Sequence, residues 1–303
     1  MSLFKKERIN LIFQQKSIRY IVKSGANTFD SGEIALESGI IDDGVIMEPD
    51  KLATLLKNLV QEKKWKKRPV AVCVPDTFVT LREEKVPKQL NDEEIKKYIL
   101  LELKGNIRLP FQDPIIDFES LEEEGEQQRI ILFAYPKEKL QPYIDILEQA
   151  ELKITIADVS FLSMYRVVHE LGLANPEQHQ LMIQWGKSSL VLTVFYQDIP
   201  VFNRHIHLQT AMQQEENEMS NEQILDVIED QLLTIDRFMD FYRYSVMNDE
   251  AQVTEVILSG DNPNQKLIYD VLVNRLNLSV HLLTSGHSIP FQYADVYGLT
   301  LRN

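Results

Sequence analysis

The chain has 303 residues, 44% of them hydrophobic and 26% charged, an ordinary composition for a globular protein long enough for two domains. Its 46 acidic residues against 32 basic ones give a net charge of −14, which excludes a general nucleic-acid binder, because such proteins need a basic stripe to displace counterions. Cys73 is the only cysteine, which excludes a disulfide framework and a cysteine zinc site, and no stretch reaches the ~18 apolar residues of a membrane span.

Residues 9–23 (INLIFQQKSIRYIVK) read as a strand, a tight turn and a returning strand. A Gly- and Asp-containing connection at 38–45 leads to Asp50, a helix cap, and a helix over 52–62 with Leu52, Leu55, Leu56 and Leu59 on one face. Residues 69–79 form a buried strand that holds Cys73 and closes at a Pro75-Asp76 turn. Asn91 caps a helix running to about residue 104, with acids in its first turn. An apolar loop at 107–112 (IRLPFQ) follows, then strands near 115–121 and 129–135 around the acidic segment 122–128, and a helix over 137–150. A strand at 154–159 leads into a helix to about Leu171, with Asp158 or Ser160 as its cap.

The main boundary falls at the polar, Pro176-containing segment 175–180. Strands at 181–187, 189–196 and 199–206 then repeat the opening pattern, with turns at Gly186 and at Gln197-Asp198. A polar stretch, 209–223, includes the second acidic cluster at 215–222 and leads to a long helix over 224–244. A strand at 253–259 closed by Gly260, a helix at 266–276 and a strand at 279–283 complete an α/β pattern.

Several segments carry a resemblance, in this order. They are Leu3-Phe4-Lys5-Lys6, Val72-Cys73-Val74-Pro75, Val86-Pro87-Lys88-Gln89-Leu90, Ile107 to Phe111, Asp117-Phe118, Ile235 to Tyr242, Leu258-Ser259-Gly260 and Gly298 to Leu301. Together they resemble the type IV pilus assembly protein PilM family, actin-like proteins related to the cell-division protein FtsA, over nearly the whole chain. The resemblance implies an actin-like ATPase fold of two RNase H-like lobes. The first lobe would span 1–175 with an inserted subdomain at about 86–153, and the second 176–303, with 285–303 returning to the first. It also implies a cytoplasmic protein at the inner face of the cell membrane, which grips the cytoplasmic N-terminal tail of a PilN-like membrane protein and has the pilus ATPase and self-association as further expected contacts.

Where the family has Asp-Ile-Gly-Ser, this chain has Ile12-Phe13-Gln14-Gln15, and where it has a second Asp-Ile-Gly, this chain has Gln184-Trp185-Gly186. Its Gly-Gly adenosine turn corresponds to Gly260-Asp261. Ile12 cannot hold a Mg²⁺-bound water, and Gln14 carries a Cβ where close approach to phosphate favours glycine. The expectation is a vestigial nucleotide cleft made by Gln14, Lys16, Ser17, Gln184, Gly186, Lys187, Ser188, Ser259, Gly260 and Asp261, with no catalytic residue, no metal and no resident ATP or Mg²⁺. A working ATPase or nucleotide switch in the same assembly is the alternative, with Lys16, Ser17, Lys187, Ser188 and Ser189 as phosphate contacts rather than solvated turn residues. The upstream glycine of a P-loop is missing before Gly186-Lys187-Ser188.

Other residues keep two readings. Trp185 either fills the vacated phosphate space or packs in a core. Asp158 is a helix cap or a catalytic acid. Phe238, Phe241 and Tyr242 lie at i, i+3, i+4 as a core stripe or a partner face. His205 and His207 share one side of a strand but lack further metal ligands, and His169 reads as a surface or packing residue. Ile107, Leu109, Pro110 and Phe111 are the candidate partner contacts, either tucked against the lobe or lining a peptide groove.

Overall fold

The computed structural model describes residues 7–25, 28–103, 105–208, 220–283 and 290–302. The basic leader at 3–6 and the acids of 215–219 lie outside the described residues. Strands β1 (Ile9–Phe13), β2 (Ser17–Lys23) and β3 (Phe29–Ala35) form an antiparallel meander. A small hairpin, β4 (Ile41–Asp42) and β5 (Val45–Ile46), leads to helix α1 (Pro49–Glu62) and strand β6 (Pro69–Val74). Next come β7 (Thr80–Pro87), α2 (Asp92–Glu102), β8 (Pro114–Glu124) and β9 (Gln127–Pro136), then α3 (Lys137–Gln149), β10 (Lys153–Val159) and α4 (Ser160–Glu170). The second half contains β11 (Gln180–Trp185), β12 (Ser189–Tyr196), β13 (Ile199–His207), α5 (Asn221–Phe241), β14 (Glu255–Ser259), α6 (Gln265–Arg275), β15 (Ser279–Leu282) and the short α7 (Ala294–Tyr297).

Two five-stranded sheets result, ordered β10-β6-β1-β2-β3 and β13-β12-β11-β14-β15. In each, a three-strand antiparallel meander is extended by two parallel strands beside its first strand. The central strands are largely apolar, because both faces are covered: β1 is buried at every position, and so is β11. The opening pattern of the sequence therefore repeats as topology, although few residues repeat with it.

A third sheet, ordered β7-β9-β8, carries α2 on its own apolar cluster of Val86, Ile95, Ile99, Ile107, Ile130 and Leu132. It differs from the expected insert of 86–153 at both ends. Its first strand starts at Thr80, and α3 packs on α1 with Leu140, Tyr143, Ile146 and Leu147 in the first-lobe cluster. Helix α2 is held at its start by a reciprocal cap. Asn91 Oδ1 accepts from the amides of Glu93 and Glu94, both at 3.1 Å, while Glu94 accepts from the Asn91 amide at 3.0 Å.

The segment after 290 packs with the first lobe: Ala294, Val296, Tyr297 and Leu299 join its cluster against α4 and β1. Gly298 permits this, since a Cβ there would lie 1.8 Å from the Ser163 carbonyl oxygen. The two lobes also share apolar contacts. Met182, Phe195 and Ile257 of the second sheet belong to the first-lobe cluster, and the Tyr165 ring of α4 stacks on Phe195 at 3.8 Å.

Candidate functional site

The ends of β1, β2, β6, β11, β12 and β14 converge on a cleft of about 400 Å³ between the lobes. Two hairpin turns face each other there, and they are built alike. In the first, the Gln14 amide donates to the Ser17 carbonyl at 2.8 Å, and in the second the Gly186 amide donates to the Ser189 carbonyl at 2.9 Å. The residue after each third strand then closes on its turn, Leu36 N to Lys16 O at 2.8 Å and Leu208 N to Ser188 O at 3.0 Å.

The side chains around the two turns differ. At the first, Gln14 Nε2 donates to Asp295 Oδ2 at 3.1 Å, and the Ser17 hydroxyl donates to Gln14 Oε1 at 3.1 Å. At the second, the Lys187 amide donates to Asp261 Oδ1 at 3.0 Å. The other Asp261 oxygen pairs with Arg19, which rises from β2 and is only 2% exposed. Arg19 also reaches Glu33 at 3.3 Å, Asp295 at 3.8 Å and the Gln292 carbonyl at 2.7 Å. Burial would lower the Arg19 pKa, but Asp295, Asp261 and Glu33 outweigh it and hold the guanidinium above its ordinary value. Burial pushes the Asp295 carboxyl up to about 6, against the pull of Arg19.

A second polar chain crosses the cleft floor. Gln184 Nε2 donates to the Ser160 hydroxyl at 3.1 Å, and that hydroxyl bonds Asp76. Asp76 Oδ1 also accepts the Ser160 amide at 2.8 Å. Asp76 therefore caps α4, a task the sequence assigns to Asp158 or Ser160. Asp158 instead bonds the Val159 amide at 2.9 Å and pairs with Arg166 and Arg302, each at 2.8 Å, away from the cleft. Burial raises the Asp76 carboxyl to about 7. Gln184 Oε1 is buried without a hydrogen-bond partner among the described residues.

Of the ten residues expected in the cleft, Gln14, Lys16, Ser17, Gln184, Gly186, Lys187, Ser188, Gly260 and Asp261 line it. Ser259 is buried behind it, with its hydroxyl on the Ile183 carbonyl at 3.3 Å. Trp185 does not fill the cleft; it is 1% exposed within the second-lobe core. Gly260 has φ +117°, and a Cβ there would meet the Trp185 carbonyl oxygen at 2.2 Å. Its role is thus the close packing of the β14 turn on the end of β11. His205 and His207 face the cleft, His205 Nδ1 lying 3.2 Å from the Thr77 hydroxyl, and no group of three or more candidate ligands for a metal occurs among the described residues. His169 is exposed on α4.

Phe238 and Tyr242 are core residues, whereas Phe241 is 51% exposed and leaves the expected stripe. Ile107 is buried in the third cluster, Leu109 and Phe111 are half-buried and Pro110 is exposed, and none of the four lines the cleft. Sequence reasoning missed Arg19, Glu33, Asp76 and Asp295. The signal for Arg19 was present: one arginine inside the apolar run Ser17–Lys23 needs buried acids to pair with.

A family model described as type IV pilus assembly protein PilM matches residues 24–217. A search of curated protein sequences finds no match. Among solved structures, the chain is similar to one titled PilM-PilN type IV pilus biogenesis complex, with TM-score 0.80, 20% identity and 98% of each chain covered. It is similar to the ethanolamine utilization protein EutJ from Carboxydothermus hydrogenoformans, with TM-score 0.57, 9% identity, and 98% of this chain and 89% of that one covered. It also matches MreB5 of Spiroplasma citri bound to ADP, with TM-score 0.52, 10% identity, and 98% and 95% covered. The paired sheets and these neighbours give the actin-like ATPase fold. The match over more than half of its length shows that the chain belongs to the type IV pilus assembly protein PilM family.

Proposed function

We propose that the protein is a scaffold of type IV pilus machinery, or of a related competence or secretion system, which docks the cytoplasmic tail of a PilN-like inner-membrane protein and does not hydrolyse ATP. Its family supports the pilus role, and the similar solved structure is of a PilM-PilN complex. No helix among the described residues is long and apolar enough to cross a membrane, so contact with the membrane is assigned to the partner. The observation that carries the noncatalytic reading is the Asp261 carboxylate on the Lys187 amide, paired with buried Arg19.

Mg²⁺ and ATP do not fit this residue set. Ile12 and Gln184 offer no carboxylate to organise a metal hydration shell. The amide of the second turn already holds an anion, and Gln14 spans the first turn with two hydrogen bonds. Glu33, Asp43, Asp76, Asp261 and Asp295 face Lys16, Arg19 and Lys187, which is not the balance of a phosphate cradle. The loop at Ile107, Leu109, Pro110 and Phe111 is assigned to the tail, its half-buried Leu109 and Phe111 offering apolar anchor points.

The test is titration of the PilN-like tail peptide, monitored by fluorescence anisotropy with and without Mg-ATP. Binding in both conditions is expected, weakened about 10-fold or more, roughly 1.4 kcal/mol, by Phe111→Ala. A peptide that binds under neither condition overturns the reading. Two observations favour a nucleotide-binding switch as the second reading, namely the open volume of about 400 Å³ and the buried, unpartnered Gln184 Oε1. Calorimetry decides: Mg-ATP binding tighter than about 100 μM, near −5.5 kcal/mol, supports the switch.

A further inference from the structure

The ionic groups of the cleft are supplied by distant parts of the chain. Arg19 stands on β2 of the first lobe, and Asp261 follows β14 of the second. Asp295 lies on α7, which packs back on the first lobe. Asp261 makes two contacts of different kinds: one oxygen receives the Lys187 amide of its own lobe at 3.0 Å, and the other pairs with Arg19 across the junction. A phosphate oxygen bound at that turn would take the same amide and attract the same cation. We infer that Asp261 is a tethered anion standing in for a nucleotide phosphate, so that the lobes are held closed across the cleft with no nucleotide bound.

The physical advantage of a tethered ligand is its fixed effective concentration. A free nucleotide closes a cleft only when its concentration exceeds its dissociation constant, whereas Asp261 is always at hand. Arg19 has little freedom to do otherwise. At 2% exposure, with Glu33, Asp261 and Asp295 around it, it has no aqueous alternative to these partners. The lobes also meet through α4. The Tyr165 ring stacks on Phe195 at 3.8 Å, and its hydroxyl donates to Asp198 at 2.8 Å. Loss of the Asp261 contacts would therefore open the cleft about α4 rather than separate the lobes. The idea rests on the nucleotide-free reading of the cleft, though not on the identity of the partner.

The test uses the full chain carrying Lys57→Cys on α1 and Lys266→Cys on α6, both exposed, with spin labels read by pulsed electron resonance. Cys73 is fully buried and does not take label in the folded protein. One narrow interlobe distance is expected, unmoved by Mg-ATP. Asp261→Ala should broaden it toward longer distances, and acetate or inorganic phosphate should narrow it again by refilling the anion position. Arg19→Met should broaden it without rescue by either anion. The inference is overturned if Mg-ATP shifts the wild-type distance or if Asp261→Ala leaves it unchanged. Broadening that neither anion reverses also overturns it. Asp261 lies outside both apolar cores, so its variant keeps the test readable should Arg19→Met fail to fold. Peptide titration reads docking and the distance reads closure, so either can fail without the other.

Discussion

The turn at Gln14–Lys16 and the turn at Gly186–Ser188 are copies in backbone and opposites in chemistry. Both close with the same amide-to-carbonyl bond across two intervening residues, and both are clasped by the residue after the third strand. The first is fastened by its own side chain, since Gln14 bonds Ser17 and Asp295. The second keeps its glycine and is fastened by a carboxylate from elsewhere, Asp261. The difference teaches that the fold fixes the course of the backbone while leaving open what satisfies its polar groups. A turn shaped to hold an anion survives the loss of the anion when the chain provides another partner.

The sharpest way to break this comparison is steric. Gly260 packs its Cα on the Trp185 backbone at positive φ, so Gly260→Val forces both a clash and a strained conformation. The expected loss is on the order of 4 kcal/mol or more, with failure to fold as the extreme. Gln14→Gly in the first turn should cost only about 1–2 kcal/mol, the worth of its two hydrogen bonds. Urea unfolding of both variants checks the contrast. Equal losses would show that the β14 turn does not depend on Gly260 for its packing on the end of β11.

Next in size is the buried cation. Arg19→Met leaves Glu33, Asp261 and Asp295 without their shared cation, and about 3–5 kcal/mol of stability should be lost. Adding Asp261→Asn to Arg19→Met should recover part of that loss, because it removes one of the stranded charges. A double variant no better than the single one would mean that Arg19 acts through packing alone.

The pH dependence separates the two polar chains. Burial raises the Asp76 carboxyl to about 7, so between about pH 4 and pH 7 the folded protein holds a proton that the unfolded chain has released. That contribution is fully present below about pH 4 and is lost as pH rises through 7. Asp76→Asn mimics the protonated acid and still caps the Ser160 amide. Its stability relative to wild type should therefore improve from pH 5 to pH 8, by on the order of 2–3 kcal/mol. Denaturant titrations at the two pH values measure this, and a constant difference would remove Asp76 as the titrating group.

Much of the fold was legible in the sequence because it is written in periodicity. The runs of β1, β6, β11 and β14 are mostly apolar, as expected of central strands covered on both faces. The cleft turns were legible through the family pattern, and nine of the ten residues expected in the cleft line it. Two edge strands, β3 and β7, were not legible. Residues 29–35 (FDSGEIA) mix Asp, Ser, Gly and Glu into a half-exposed strand, whose Gly32 lies under the Tyr20 ring where a Cβ would meet the hydroxyl at 2.4 Å. Strand β7 (TLREEKVP) is likewise rich in charge, and it is a strand because β9 pairs with it. The ionic centre was not legible either, because Arg19 and Asp261 are 242 residues apart. Only the tertiary fold brings such a pair together, and the local surroundings of either residue do not disclose the other.

The smallest expected effect lies outside both lobes and tests whether the third sheet is independent of them. Asn91 caps α2 reciprocally with Glu94, on a cluster that includes Ile95, Ile99 and Ile107 but no residue of either lobe core. Asn91→Ala should cost about 1 kcal/mol, the usual worth of such a cap, seen as fraying of α2 by hydrogen exchange. The distance between labels on α1 and α6 should not change. The tail peptide should bind less tightly, because Ile107 anchors the start of the proposed docking loop in that same cluster. Weaker peptide binding with an unchanged interlobe distance would assign docking to the third sheet and closure to the paired turns. A changed distance would show that α2 and the cleft move as one body, and the two turns could then no longer be compared in isolation from the sheet beside them.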